Sequence, residues 1–288
     1  APMGWAILAD SSCNLREYHP QTSDAVYRVA PLKINIAGRE YVDDASLDVA
    51  ELNRLIIEET AASSSSCPSV GEWAELFRSA DNVIAITISA RLSGSYEAAC
   101  MARDMVLEEG PRNIHIVNSR AAGGKLELLV ARLDEFLAEH PTASFGDAVS
   151  FIDGLEASST VLFSLSSYDN LTKSGRMPKL AGHLASKLNI RILGIASDEG
   201  TIKIVGPTRG SRKTLDKIVN TMGEQDFDGG MVYIDHVDNE LGAQALADRI
   251  RQEWPNAGVR ILPCGGLCSY YAENKGLIIG FGTAQRAL

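Results

Sequence analysis

The familiar signatures of catalysis and cofactor binding are missing from this chain. No Gly-x-Gly-x-x-Gly follows an apolar run, so the dinucleotide fingerprint is absent. Gly123-Gly124-Lys125 looks like the end of a phosphate loop, but Leu126 stands where a serine or threonine belongs. Around Ser93 the hydrolase elbow Gly-x-Ser-x-Gly fails, because Arg91 occupies the first glycine position. His19, His115, His140, His183 and His236 show no metal-ligand spacing. The chain has 5 cysteines, an odd number that does not make a disulfide framework. Cys264 and Cys268 are close, yet no second pair completes a metal knuckle, and no metal is expected. Basic residues are also scarce: 27 against 37 acidic ones, a net charge of −10, which argues against nucleic acid as a partner. No run approaches the ~18 apolar residues of a membrane span, so no integral membrane association is expected. The opening Ala1-Pro2-Met3-Gly4-Trp5 has no basic segment followed by a signal-like apolar stretch, and a cytoplasmic location is expected.

What is present is an ordinary globular composition, 45% hydrophobic over 288 residues, enough for two domains. Two serine-rich segments stand out: Ser63-Ser64-Ser65-Ser66-Cys67-Pro68-Ser69 and Ser89 to Tyr96. Between them runs Val83 to Ile88, short, β-branched and apolar, the pattern of a buried parallel strand. Ser69-Val70-Gly71-Glu72 reads as a capping box, and Ser93 as the start of a second helix reaching about Glu109. Each serine segment taken alone reads as helix capping. Two of them flanking one buried strand converge at one sheet edge, where hydroxyls and free N–H groups bind a phosphate or carboxylate.

The first half alternates strand and helix. Strands are expected at Trp5–Ala9, Arg28–Ile36 (broken by Pro31), 83–88 and Ile114–Val117. Helices are expected from Ser46, from Ser93, over Lys125–Leu137 and over Phe145–Leu155. This is the signature of a mostly parallel sheet with flanking helices, whose strand ends (Asp10-Ser11, Ser89 to Ser95, Asn118-Ser119) share one rim. The second half has strands at Val161–Leu165, Met231–Ile234, Val259–Leu262 and Leu277–Phe281, a hairpin of Arg191–Ala196 with Ile202–Gly206, and helices at Tyr168–Ser174, Thr208–Met222 and Asn239–Trp254. Fewer crossovers indicate an α+β domain. The fold class is therefore α/β with two domains, residues 1–158 and 159–288.

With these residues in view, the chain resembles the DegV family of bacterial fatty-acid-binding proteins, nearly end to end. Asp10-Ser11, Pro31-Leu32 and Tyr41 to Asp44 resemble the family's Asp-Ser, Pro-Leu and Tyr-x-Asp elements. Ser65-Ser66-Cys67-Pro68-Ser69 resembles Thr-Ser-Gln-Pro-Ser, and Ile88 to Tyr96 resembles Ile-Ser-x-x-Leu-Ser-Gly-Thr-Tyr. Leu171 to Met177 resembles Leu-x-x-Gly-Gly-Arg-Ile, with Ser174 for the first glycine. The resemblance implies a two-domain carrier of one long-chain fatty acid, without catalytic machinery or cofactor. It implies an acyl chain in an apolar tunnel and a carboxylate held by Ser65, Ser66, Ser93, Gly94, Ser95 and Arg176. It further implies presentation of that carboxylate to a fatty acid kinase for phospholipid synthesis. Where the family often carries a histidine, this chain has Ala272; Tyr271 and Asn274 are the candidate donors in its place.

Two other readings stand beside the carrier. A serine-dependent acyl hydrolase or transferase would use Ser93 as nucleophile, with His236 and Asp235 the only candidate base and orienting acid. A small-molecule sensor would share the same pocket. Arg209, Arg212 and Lys213 read as a solvated face, or else as a docking patch for an acidic partner such as the kinase. Asp238 or Asn239 is expected to cap the helix after His236.

Overall fold

A computed structural model describes residues 4–178 and 189–284. His183 lies outside them, as do the first three residues. In the first half, β1 (Trp5–Asp10), β2 (Ala25–Ala30), β6 (Asn82–Thr87) and β7 (Asn113–Asn118) form an all-parallel sheet in the order β2-β1-β6-β7. β6 is buried along its whole length, as its unbroken apolar run requires. Helices α2 (Val70–Phe77), α3 (Ser95–Glu108), α4 (Gly124–Glu139) and α5 (Phe145–Ala157) cover it. Ser69 caps α2 in the expected box with Glu72. α3 starts two residues later than expected, with Gly94 at the cap.

A second, three-stranded sheet was not expected. β3 (Lys33–Ile36) pairs antiparallel with both β4 (Arg39–Val42) and β5 (Ser63–Ser66). The stretch from Arg28 to Ile36 is therefore two strands in two sheets, with Pro31 at the break between them. The serine run is itself a strand, because β3 supplies its ladder; low intrinsic preference is overridden by pairing. The helix expected from Ser46 is α1 (Val49–Glu58), capped by Asp48.

The second half is a six-stranded mixed sheet, β10-β9-β8-β13-β11-β12. Its strands are β8 (Ser159–Leu165), β9 (Ile190–Ala196), β10 (Ile202–Arg209), β11 (Phe227–His236), β12 (Gly258–Pro263) and β13 (Leu277–Thr283). Around it lie α6 (Asp169–Lys173), α7 (Ser211–Glu224), α8 (Glu240–Glu253) and α9 (Gly266–Ala272). Thr208 belongs to β10 rather than to the following helix, and α9 was not foreseen. Asn239 caps α8 as expected.

The expected boundary falls between α5 and β8, yet the core crosses it. One apolar cluster joins Ile7, Ile84, Leu126 and Leu129 to Phe163, Leu165 and Ile278. Helix α4 packs on β1 and β6 of one half and on β11 and β13 of the other. At this contact two glycine backbones meet: a Cβ on Gly280 would lie 2.0 Å from the carbonyl carbon of Gly124. The Gly123-Gly124-Lys125 run thus serves helix-on-strand packing.

Candidate functional site

The carboxyl ends of the parallel strands do share one rim, and Asp10 organises it. Its fully buried carboxylate accepts from Ser12 N–H and Oγ–H through Oδ1, and from Ile88 N–H (2.8 Å) and Ser95 Oγ–H (2.7 Å) through Oδ2. Burial raises its pKa, and these four donors oppose the rise. The network ties β1 to the end of β6 and to the start of α3, fixing the loop that carries Ser93. Ser95 is therefore spent on support: its hydroxyl goes to Asp10, and its N–H donates to Ser93 Oγ (3.2 Å).

An apolar cavity opens between the two halves beside this loop. Leu32, Leu92, Phe163, Leu165, Leu171 and Ile278 are among its walls. Ser65, Ser93, Arg176 and Tyr271 line it as well, as does Cys268. Strand alternation along β5 explains why Ser65 faces in while Ser66 is exposed. Ser66, Gly94, Ser95 and Asn274 do not line the cavity. Gly94 lines an outer groove instead, and Asn274 is exposed, its carbonyl accepting from Ser166 Oγ–H. Arg176 donates through Nε to the Leu92 carbonyl (2.6 Å) and lies over the Tyr271 ring, 5.0 Å from its centroid. Among the described residues no carboxylate lies within ion-pair distance of Arg176. Ser65 Oγ and Tyr271 Oη are hydrogen-bonded to each other. One residue pair was missed from the sequence altogether: Ser63 Oγ bonds Tyr270 Oη at 2.7 Å. Its only trace was the i, i+2 spacing of Ser63 and Ser65, which has meaning once the run is known to be a strand.

The rim of this cavity has donors in excess of acceptors. A ligand with an anionic head and a long apolar body satisfies both parts of it. Such a match of a hydroxyl-and-guanidinium mouth to an apolar interior directs attention to proteins of similar sequence. The sequence model of the DegV family matches residues 4–281.

The chain belongs to the DegV family.

A DegV domain-containing protein of Streptococcus pneumoniae is 36% identical over 280 residues, 97% of this chain and 99% of that one. Among DegV structures, the S. pneumoniae Fatty Acid Kinase (Fak) B3 protein loaded with linoleic acid superposes with a TM-score of 0.93 at 36% identity, covering 98% of this chain and 100% of that one. A DegV family protein from Eubacterium eligens loaded with heptadecanoic acid gives a TM-score of 0.92 at 31% identity, covering 98% and 100%.

The DegV fold also decides how the other candidate groups stand. On β11, Asp235 and His236 point to opposite faces. Asp235 is buried and accepts from Asn14 Nδ2–H (2.8 Å), while His236 Nδ1 accepts from Asn239 N–H (3.0 Å). Burial lowers the His236 pKa. Neither touches Ser93, and among the described residues no histidine lines the cavity. Behind the cavity, Glu127 of α4 faces Asp235. Both are fully buried and within hydrogen-bond reach of each other, and among the described residues neither Glu127 oxygen nor Asp235 Oδ1 meets a donor from any third group. Burial raises both carboxyl pKa values, the direction that favours a proton shared between them. Arg209 and Arg212 are exposed and away from the cavity walls. Among the described residues no group of side chains could hold a metal ion, and no helix is long and apolar enough to cross a membrane.

Proposed function

We propose that this protein is a non-catalytic carrier of one long-chain fatty acid, which it presents to a fatty acid kinase for phospholipid synthesis in the cytoplasm. The observation that carries the reading is an apolar cavity whose polar mouth contains donors and, among the described residues, no carboxylate. Ser65, Ser93 and Arg176 hold the head group. Ser93 Oγ already accepts from Ser95 N–H, so its proton is directed outward to a ligand oxygen. Hydrogen bonds to a charged group contribute about 1.5–3 kcal/mol each, enough to fix orientation. Each buried methylene adds about 0.8 kcal/mol before ordering costs, so the chain supplies the bulk of the affinity.

Presentation follows from the position of two residues. Ser93 and Arg176 line both the cavity and an outer groove with Arg91, Tyr96 and Cys100. A carboxylate held there faces a surface that another protein reaches. The exposed Arg209 and Arg212 are the proposed contacts for an acidic patch on that kinase. The E. eligens and S. pneumoniae relatives, loaded with heptadecanoic and linoleic acid, support the ligand class.

Native mass spectrometry of the purified protein, followed by denaturing extraction, tests the reading. The expected result is one fatty acid per chain, released on denaturation and absent from a fluorophosphonate-labelled fraction. A protein that neither retains nor takes up any fatty acid of 14 to 20 carbons overturns it. Stoichiometric labelling of Ser93 by the probe would revive the serine-enzyme reading.

A further inference from the structure

The cavity mouth contains two hydroxyls that share one hydrogen bond, Ser65 Oγ and Tyr271 Oη. Two hydroxyls carry two protons, and the bond between them uses only one. Phenol is the more acidic group and the better donor. That acidity favours Tyr271 as the donor to Ser65, an order that leaves the Ser65 proton for an acceptor inside the cavity.

The same tyrosine fixes the one cation that lines the cavity among the described residues. The Arg176 guanidinium lies over its ring, held in the other direction by the Leu92 carbonyl. Tyr271 is in turn well braced. Its ring packs edge-on against Tyr270, with centroids 4.8 Å apart, and the Tyr270 hydroxyl reaches Ser63 on the same strand face as Ser65. The Tyr270 carbonyl accepts from Asn170 Nδ2–H (2.8 Å), linking α9 to α6 just before Arg176. Two consecutive tyrosines of α9 thus grip alternate serines of β5, across the boundary between the halves.

We propose that Tyr271 is the positioning residue for the ligand carboxylate, aiming the Ser65 hydroxyl through its own hydroxyl and holding Arg176 over the mouth with its ring. This rests on the fatty-acid reading given above and adds to it a residue whose two parts do separate jobs. Tyr271→Phe removes the aim and keeps the ring. Tyr271→Leu removes both.

The test measures binding of palmitate and of hexadecanol, which keeps the chain and lacks the carboxylate, to the full-length protein and to Tyr271→Phe, Tyr271→Leu, Ser65→Ala and Ser65→Ala/Tyr271→Phe. Tyr271→Phe should weaken palmitate about fivefold and leave hexadecanol within about twofold. The double variant should be no weaker than Ser65→Ala alone, because both changes remove one arm. Tyr271→Leu should weaken palmitate about thirtyfold as Arg176 is released as well. Equal losses for palmitate and hexadecanol would make Tyr271 a packing residue only and overturn the proposal. Losses that add in the double variant would also overturn it. A parent protein that binds neither compound would overturn the carrier reading itself, a distinguishable outcome.

Discussion

Two polar clusters lie at the boundary between the halves of this molecule, and they are opposites. The cavity mouth holds Ser65, Ser93, Tyr271 and Arg176: protons to donate and, among the described residues, no carboxylate. Behind it, Glu127 and Asp235 are fully buried acids that face each other, with no ion pair to either among the described residues. A cluster rich in donors is completed by an anion from outside. A cluster rich in acceptors favours a proton retained within. Burial alone therefore does not mark a binding site. What marks it is which partner is lacking and whether that partner can enter.

The comparison breaks most severely at Asp10, the acceptor beneath the donor-rich mouth. Asp10→Ala strands the Ser95 and Ser12 hydroxyls and the Ile88 N–H in a dry interior. A stability loss of about 3 kcal/mol or more is expected, read from guanidinium unfolding. A loss below about 1 kcal/mol would show that the network is dispensable.

Glu127→Gln sharpens the contrast. Both carboxyl pKa values are raised in the folded protein by burial, so the folded state holds an extra proton above the ordinary carboxylate range. Stability from this pair is full below that range and falls as pH rises through the raised values, by up to about 1.4 kcal/mol per pH unit. Gln supplies a permanent N–H donor to Asp235. The variant should lose the Glu127 share of this slope, leaving only the part that Asp235 contributes up to about pH 6, and gain about 1 kcal/mol at pH 9, with palmitate affinity unchanged. Parallel thermal-melt profiles for the two proteins between pH 5 and 9 would refute the shared proton.

The smallest effect separates neighbours on one strand. Ser66 is exposed while Ser65 lines the cavity. Ser66→Ala should change stability by less than about 0.5 kcal/mol and leave palmitate binding within about twofold. A larger loss of binding would mean that the serine strand acts as a whole.

Much of this was legible in the chain. Alternating strands and helices identified the parallel sheet, the run 83–88 identified its buried strand, and the motifs around Ser65, Ser93 and Arg176 marked three residues that the fold brings to one cavity. The illegible parts have physical causes. A run of four serines carries no periodic hydrophobic signal, so β5 shows only when β3 pairs with it. Ser95 sits in a matched motif, but its role is set by Asp10, far away in sequence. Asn274 was plausible by position, whereas the turn after α9 carries it into solvent. Glu127 sits on a helix face that reads as amphipathic until the second sheet covers it.

The glycine contact between α4 and β13 has a consequence for synthesis. The helix is translated well over a hundred residues before the strand that covers its back. Until that strand leaves the ribosome, the cluster of Leu126, Leu129 and Leu133 lacks Ile278. Such long-range closure is slow and leaves apolar surface open to aggregation. A chain stopped before Leu277 is therefore expected to be a substrate for chaperones and proteases, with no partial carrier among its products.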